Sequence, residues 1–151
     1  MAIGQSKQRL DAEAKVTGRA RYTDDFHESP MLVAKILHST IANGVVKSMD
    51  ISAAQALPGV VKVVTCFDVP DIQYPTPGHP WSVEEAHQDV SDRKLLNRRV
   101  RIYGDDIAVV VAEDELTAER ALRAIRVEYE EYPVYTTPEQ AMAPGAVPIH
   151  D

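Results

Sequence analysis

The pattern of apolar and polar positions is clearest between residues 104 and 133. Residues 106–112 hold an apolar run rich in β-branched side chains, which is typical of a strand covered on both faces. Asp114 then offers a carboxylate as a helix N-cap, and apolar residues at 118, 121, 122 and 125 recur on one helical face. Val127 and Tyr129 alternate with glutamates, which predicts a half-buried strand that ends before Pro133.

The same patterns predict further elements in the rest of the chain. We expect strands over 31–38, 45–51, 60–66 and 100–103, with short helices over 53–57 and 139–142. Residues 9–19 suit a short helix or turn, residues 19–23 a short strand, and Asn43-Gly44 a turn or hairpin. Paired strands with helices between some of them indicate an α+β fold.

The buried helix face and two valine-rich runs predict the centre of the core. We expect Val109–Val111 and Val61–Val64 to form central strands, with Leu122 and Ile125 packed across them. Replacing Leu122 by alanine would then cost about 2–5 kcal/mol, the range for emptying a buried leucine site.

A long segment over residues 68–98 lacks this periodicity and contains several prolines. A structureless loop of about thirty residues is uncommon inside a compact domain. We therefore expect contact with a neighbouring domain or subunit to order it, rather than its own hydrogen bonds. Trp81, the single tryptophan, is the candidate subunit contact, because interfaces concentrate energy in such aromatics. Packing of Trp81 within its own domain is the alternative.

Composition describes an ordinary globular chain. The 151 residues fit one domain over 1–151, and the net charge of −7 argues against nucleic acid as the main partner. No apolar run approaches the length of a membrane span, and the N-terminus lacks the apolar core of a signal peptide. A single cysteine, Cys66, excludes an internal disulfide and a cysteine-ligated cluster. These features predict a cytoplasmic protein.

Side chains that commonly carry chemistry are present, but they form no recognisable site. Cys66 lies in an apolar run and suits a small core residue better than a nucleophile. The best candidate for a metal site is a cluster in the 68–98 loop that consists of His79, Glu84, Glu85, His87 and Asp89. A solvated acidic loop is the better interpretation of this cluster, because its residues do not repeat the spacing of metal ligands along the chain.

Charged groups offer two further interpretations. The pairs Asp24-Asp25 and Asp105-Asp106 suit turn capping better than acid–base chemistry, since adjacent side chains point apart in extended chain. Arg98, Arg99 and Arg101 form a small basic patch that could meet an anionic cofactor or a partner's carboxylates, although a solvated surface is the simpler account. The chain contains no glycine motif that cradles phosphate.

The order of several short blocks carries a family resemblance. Residues 15–25, KVTGRARYTDD, resemble the start of the molybdenum-binding subunit of the xanthine dehydrogenase and aldehyde oxidase family. The resemblance is closest to bacterial xanthine dehydrogenases, in which this subunit is a separate chain. Further similar blocks follow in the same order at 36–39, 50–60, 104–112, 125–130 and 148–150.

This resemblance implies a fold and a parent enzyme. The fold would be the α/β-hammerhead domain, with a mixed sheet and short helices, and the chain would be a fragment of a longer subunit. The parent would hydroxylate purines or related heterocycles with water-derived oxygen, and the isolated chain would be inactive. Molybdopterin would bind to C-terminal domains of the same subunit, and partner subunits would carry the iron–sulfur clusters and FAD. No catalytic, cofactor-binding or metal residue is expected within these residues.

Two alternatives stay open at this point. The chain could be a stand-alone protein-binding or assembly module that uses the 68–98 loop, and a reading frame that stops near Asp151 would favour this. A small independent enzyme using Cys66 or the histidines is the third possibility. Turnover by the isolated chain that Cys66→Ala abolishes would support it.

Overall fold

The computed structural model describes residues 3–75, 83–88, 91 and 93–150. The chain divides into two compact units, Met1–Met31 and Leu32–Asp151. A single domain over 1–151 therefore stays a prediction.

The first unit contains short elements that local contacts stabilise. Helix α1 spans Ala12–Val16, a 3-10 helix spans Thr23–Asp25, and neither has a buried residue. The Asp25 carboxylate accepts a hydrogen bond of 2.7 Å from the backbone N–H of Tyr22. This bond closes a tight turn, so the short strand expected over 19–23 is wrong and the capping role of Asp25 is confirmed.

The second unit contains two three-stranded sheets, and every strand pairing among the described residues is antiparallel. The first sheet has the order β1-β5-β3 and the second the order β4-β2-β6. The strands are β1 Val33–His38, β2 Gly44–Asp50, β3 Val60–Thr65, β4 Arg99–Val100, β5 Asp106–Ala112 and β6 Arg126–Glu131, and the helices are α2 Ser52–Gln55, α3 Glu115–Ala124 and α4 Pro138–Ala141.

These elements confirm the α+β class, with one sharper detail. The expected mixed sheet resolves into two antiparallel sheets, because β1 and β2 do not pair with each other across Asn43-Gly44. Those two residues instead carry the chain out of the first sheet and into the second. None of the described helices is long and apolar enough to cross a membrane.

The core of the second unit lies around β5. Ile107 and Val110 on this strand are fully buried, as are Ala118 and Ala121 on α3. Asp114 caps α3 as predicted, since its carboxylate accepts a 2.8 Å hydrogen bond from the backbone N–H of Thr117. The core therefore forms where the sequence pattern placed a strand followed by a capped helix.

One expectation about this core is wrong and another is confirmed. Strand β3 lies at the edge of its sheet, where Val61 is 56% exposed, so it is not a central strand. Ile125 is buried in the core and the half-buried Leu122 packs against it, as expected. The loss of about 2–5 kcal/mol for Leu122→Ala stays a prediction.

The loop over 68–98 forms hydrogen bonds of its own at its base. The backbone N–H of Tyr74 donates to the carbonyl of Arg93 at 2.9 Å, and Arg93 donates back at 3.3 Å. The Tyr74 hydroxyl also donates to the carbonyl of Lys94 at 3.0 Å. The expectation that the loop lacks its own hydrogen bonds is therefore wrong at this point, because backbone groups withdrawn from water must pair. Trp81 lies outside the described residues, and its role as a contact stays a prediction.

Replacing Ile107 by alanine tests the position of the core. Ile107 is fully buried on β5 and packs with Val46 and Val100, so the change should cost about 2–5 kcal/mol of unfolding free energy. Ile36→Ala on the neighbouring β1, at a side chain that is 44% exposed, should cost less than about 1 kcal/mol. Urea denaturation of the chain and both variants measures the difference, and equal losses would contradict the assignment.

Candidate functional site

Buried polar side chains gather where the chain crosses between the two sheets. Ser39, Asn43, Asn97 and Asp105 are between 1% and 6% exposed and lie at the ends of strands or between them. Together with Arg99 of β4 we call them the polar junction. Polar groups buried in this way are stable only when they are hydrogen-bonded, so their partners show what holds the crossing together.

Asn43 and Arg99 form the centre of the polar junction. The Asn43 amide donates to the carbonyl of Pro133 at 2.6 Å, and its oxygen accepts from Nη1 of Arg99 at 2.7 Å. The same Nη1 donates to the carbonyls of Gly44, at 3.0 Å, and Val100. The Arg99 guanidinium also lies over the Tyr132 ring at 5.1 Å from its centroid. One asparagine and one arginine thus join the segments around β2, β4 and the end of β6.

Gly44 lets these segments approach closely. A Cβ at this position would overlap the backbone carbonyl oxygen of Glu130 and the side chain of Ile41. The Asn43-Gly44 pair, a turn signal in the sequence, is therefore a close backbone contact between β2 and β6.

Asp105 secures the other side of the polar junction. Its Oδ2 accepts hydrogen bonds from the backbone N–H groups of Arg101, at 2.7 Å, and Ile102, at 3.3 Å. Its backbone carbonyl accepts from the N–H of Ser39 at 2.8 Å, and its Oδ1 lies 3.7 Å from Nη1 of Arg93. The predicted capping role is confirmed for Asp105. Asp106 instead begins β5 and meets Nδ1 of His38 at 2.9 Å on the surface.

Two cavities of about 330 and 400 Å³ adjoin the polar junction and share Asn97, Arg99 and Arg101 in their linings. The predicted basic patch is therefore one surface, although Arg99 is also a structural residue. We call this surface the basic cleft, and its cationic side chains are Arg93, Lys94, Arg98, Arg99 and Arg101.

The remaining chemical candidates do not come together. Burial raises the pKa of the half-buried Cys66 thiol to about 11, which disfavours the thiolate needed for nucleophilic attack. Within the described part of the chain, no three His, Cys, Asp or Glu side chains converge as metal ligands. Glu84 and His87 pair with each other at 2.9 Å, and His79 and Asp89 lie outside the described residues.

Comparisons with known proteins agree on one family. Residues 17–133 match the model for the aldehyde oxidase and xanthine dehydrogenase a/b hammerhead domain. The chain is 52% identical over 143 residues to the xanthine dehydrogenase molybdenum-binding subunit of Escherichia coli O157:H7, covering 95% of the chain and 19% of that subunit.

Solved structures give the same result and confirm the predicted hammerhead fold. The aldehyde oxidoreductase from Desulfovibrio desulfuricans ATCC 27774 matches with a TM-score of 0.83 at 32% identity, over 97% of this chain and 16% of that one. Quinoline 2-oxidoreductase from Pseudomonas putida 86 matches with a TM-score of 0.77 at 36% identity, over 94% and 18%. The chain thus spans less than a fifth of the length of each of these relatives.

Replacing Asp105 by alanine tests the polar junction. The change leaves two part-buried backbone N–H groups without the buried carboxylate that accepts from them, so it should cost about 1–3 kcal/mol of unfolding free energy. Asp106→Ala, at a side chain that is 43% exposed, is the matched control and should cost less than about 1 kcal/mol. Chemical denaturation measures both variants, and a loss at Asp105 no larger than at Asp106 would refute the role given to Asp105.

The raised pKa of Cys66 predicts slow alkylation and a pH dependence of stability. The folded chain holds the thiol proton more tightly than its ordinary pKa of 9.0 implies, with a value of about 11. Its contribution to stability is therefore present below pH 9 and is lost as the pH rises from 9 to 11. Iodoacetamide should label the folded chain slowly at pH 8 and the urea-unfolded chain at the normal rate. Equal rates would contradict the shift.

Proposed function

The chain belongs to the aldehyde oxidase and xanthine dehydrogenase family, and we propose that it is the N-terminal structural domain of a xanthine dehydrogenase molybdenum-binding subunit. The observation that carries this proposal is the 52% identity to the Escherichia coli subunit across 95% of the chain. The hammerhead match over residues 17–133 supports the same assignment.

A purine or a related heterocycle is the proposed substrate of the parent enzyme. Relatives named for aldehydes and for quinoline share the fold at 32% and 36% identity. The higher identity to a xanthine dehydrogenase subunit therefore favours xanthine or a similar purine. In this proposal a molybdenum cofactor held elsewhere in the subunit would supply hydroxylation chemistry with oxygen from water, and partner subunits would carry iron–sulfur clusters and FAD as electron acceptors.

The described residues do not fit a site for the molybdenum cofactor. In the described part of the chain, every buried side-chain nitrogen and oxygen already has a hydrogen-bond partner. None of them therefore needs a cofactor as its partner. Arg99 of the basic cleft already donates hydrogen bonds to Asn43 and two backbone carbonyls. We therefore propose that C-terminal domains of the same subunit hold molybdopterin, and that this domain contributes architecture.

The proposed role follows from the polar junction. Its short hydrogen bonds fix the segments between the two sheets and hold the basic cleft in one geometry. A domain of this kind can present a rigid surface to the rest of a large subunit. A cytoplasmic location is also part of the proposal, in keeping with the lone cysteine.

Two measurements test the proposed function. The gene beyond Asp151 should encode a molybdopterin-binding region, and a stop codon near Asp151 would favour the stand-alone assembly module instead. Metal analysis should find stoichiometric molybdenum in the purified full-length subunit and none in the purified 151-residue chain. Stoichiometric molybdenum in the short chain would overturn the structural role.

A further inference from the structure

Positive charge is concentrated in the basic cleft. Residues 93–101 supply Arg93, Lys94, Arg98, Arg99 and Arg101, in a chain whose net charge is −7. Among the described residues, Asp105 lies near Arg93 and Asp71 pairs with Lys94. Like charges gathered in this way repel each other, and an anion bound between them would relieve the repulsion.

Arg98 is anchored by the protein and still has donors to offer. Its Nε donates to the carbonyl of Val46 at 3.2 Å, and its guanidinium lies over the Phe67 ring at 5.4 Å from the centroid. Within the described part of the chain, its Nη1 and Nη2 donate no hydrogen bond, and the residue is exposed. These contacts already order the Arg98 side chain, so a partner that binds it loses less side-chain entropy.

The basic cleft already receives polypeptide in one of its two cavities. The carbonyl of Ile149 accepts a hydrogen bond of 3.0 Å from Nε of Arg101, and Ile149 and His150 line the 330 Å³ cavity. The 400 Å³ cavity is lined by Arg98, Tyr132 and Gln73 among others, and none of its described lining residues belongs to this C-terminal segment. A backbone oxygen thus accepts from an arginine of the first cavity, and the donors of the second cavity suit acceptors of the same kind.

We infer that the 400 Å³ cavity of the basic cleft binds an acidic polypeptide segment of the same subunit that lies outside residues 1–151. The inference rests on the proposed function, because it requires a longer subunit like those of the relatives. A guanidinium matches a carboxylate with two parallel hydrogen bonds, which makes Arg98 the recognition residue for an Asp or Glu of that segment. Phe67 and Tyr132 beside the arginines give the cleft the aromatic and arginine composition of an interface centre.

Photo-crosslinking in the full-length subunit tests this inference. A photoreactive benzoyl-phenylalanine at the exposed cavity-lining position Gln73 leaves every arginine of the cleft in place. Mass spectrometry should identify a crosslinked peptide that is rich in Asp and Glu and lies outside residues 1–151. The same photoreactive residue at Arg123 on α3, where the side chain is 82% exposed, is the matched control and should not capture that peptide.

Charge reversal at Arg98 tests whether the yield of the crosslinked acidic peptide depends on this arginine. Combining the Gln73 label with Arg98→Glu should lower the yield of the acidic peptide about tenfold or more, because like charges would then face each other. Arg98→Gln, which removes the charge without adding repulsion, should lower it less. Crosslinks confined to residues 1–151, or capture of a peptide without carboxylates, would overturn the inference.

Two other outcomes separate this inference from the proposed function. A gene that ends near Asp151 would refute both, whereas a longer gene with crosslinks only inside the domain would refute the inference alone. Inorganic pyrophosphate is the probe for a phosphate ligand. If it raises the melting temperature of the full-length subunit, and Arg98→Gln abolishes that rise, the cleft is a phosphate site and the acidic segment is ruled out.

Discussion

The hydrogen bond between Asn43 and Arg99 is the contact on which the rest of the second unit depends. Two separate antiparallel sheets share few backbone hydrogen bonds, so side chains must fix the segments that run between them. Asn43 joins Arg99 of β4 to the carbonyl of Pro133 after β6, while Asp105 and Ser39 secure the starts and ends of β5 and β1. Removing either side chain would take one partner from a part-buried polar group, which costs more than a fully exposed bond is worth.

The hydrogen bonds of Arg99 also fix the geometry of the basic cleft. Because Arg99 donates to three acceptors and lies over an aromatic ring, the neighbouring Arg98 and Arg101 lie at fixed positions around two cavities. This arrangement suits recognition of an anionic group, and no three His, Cys, Asp or Glu side chains among the described residues converge as metal ligands.

The sequence predicts this fold best where the evidence is local. The run at 106–112 and the Asp114 cap lie close together in sequence, so periodicity and capping chemistry identified β5 and α3 correctly. Apolar runs look alike at the centre and the edge of a sheet, and for that reason β3 was misplaced. The polar junction joins residues as distant as Asn43 and Pro133, and no local pattern reports such a pairing. Asn43-Gly44 and Arg99 were visible only as a turn signal and a surface charge.

A double-mutant cycle between Asn43 and Arg99 tests the central claim most directly. Asn43→Ala, Arg99→Met and the double variant would be compared with the unchanged chain by urea denaturation. If the two side chains stabilise the crossing through each other, the coupling free energy should be about 1–3 kcal/mol, as expected for buried residues in one hydrogen-bond network. A coupling below about 0.5 kcal/mol, within the range of independent sites, would contradict the claim.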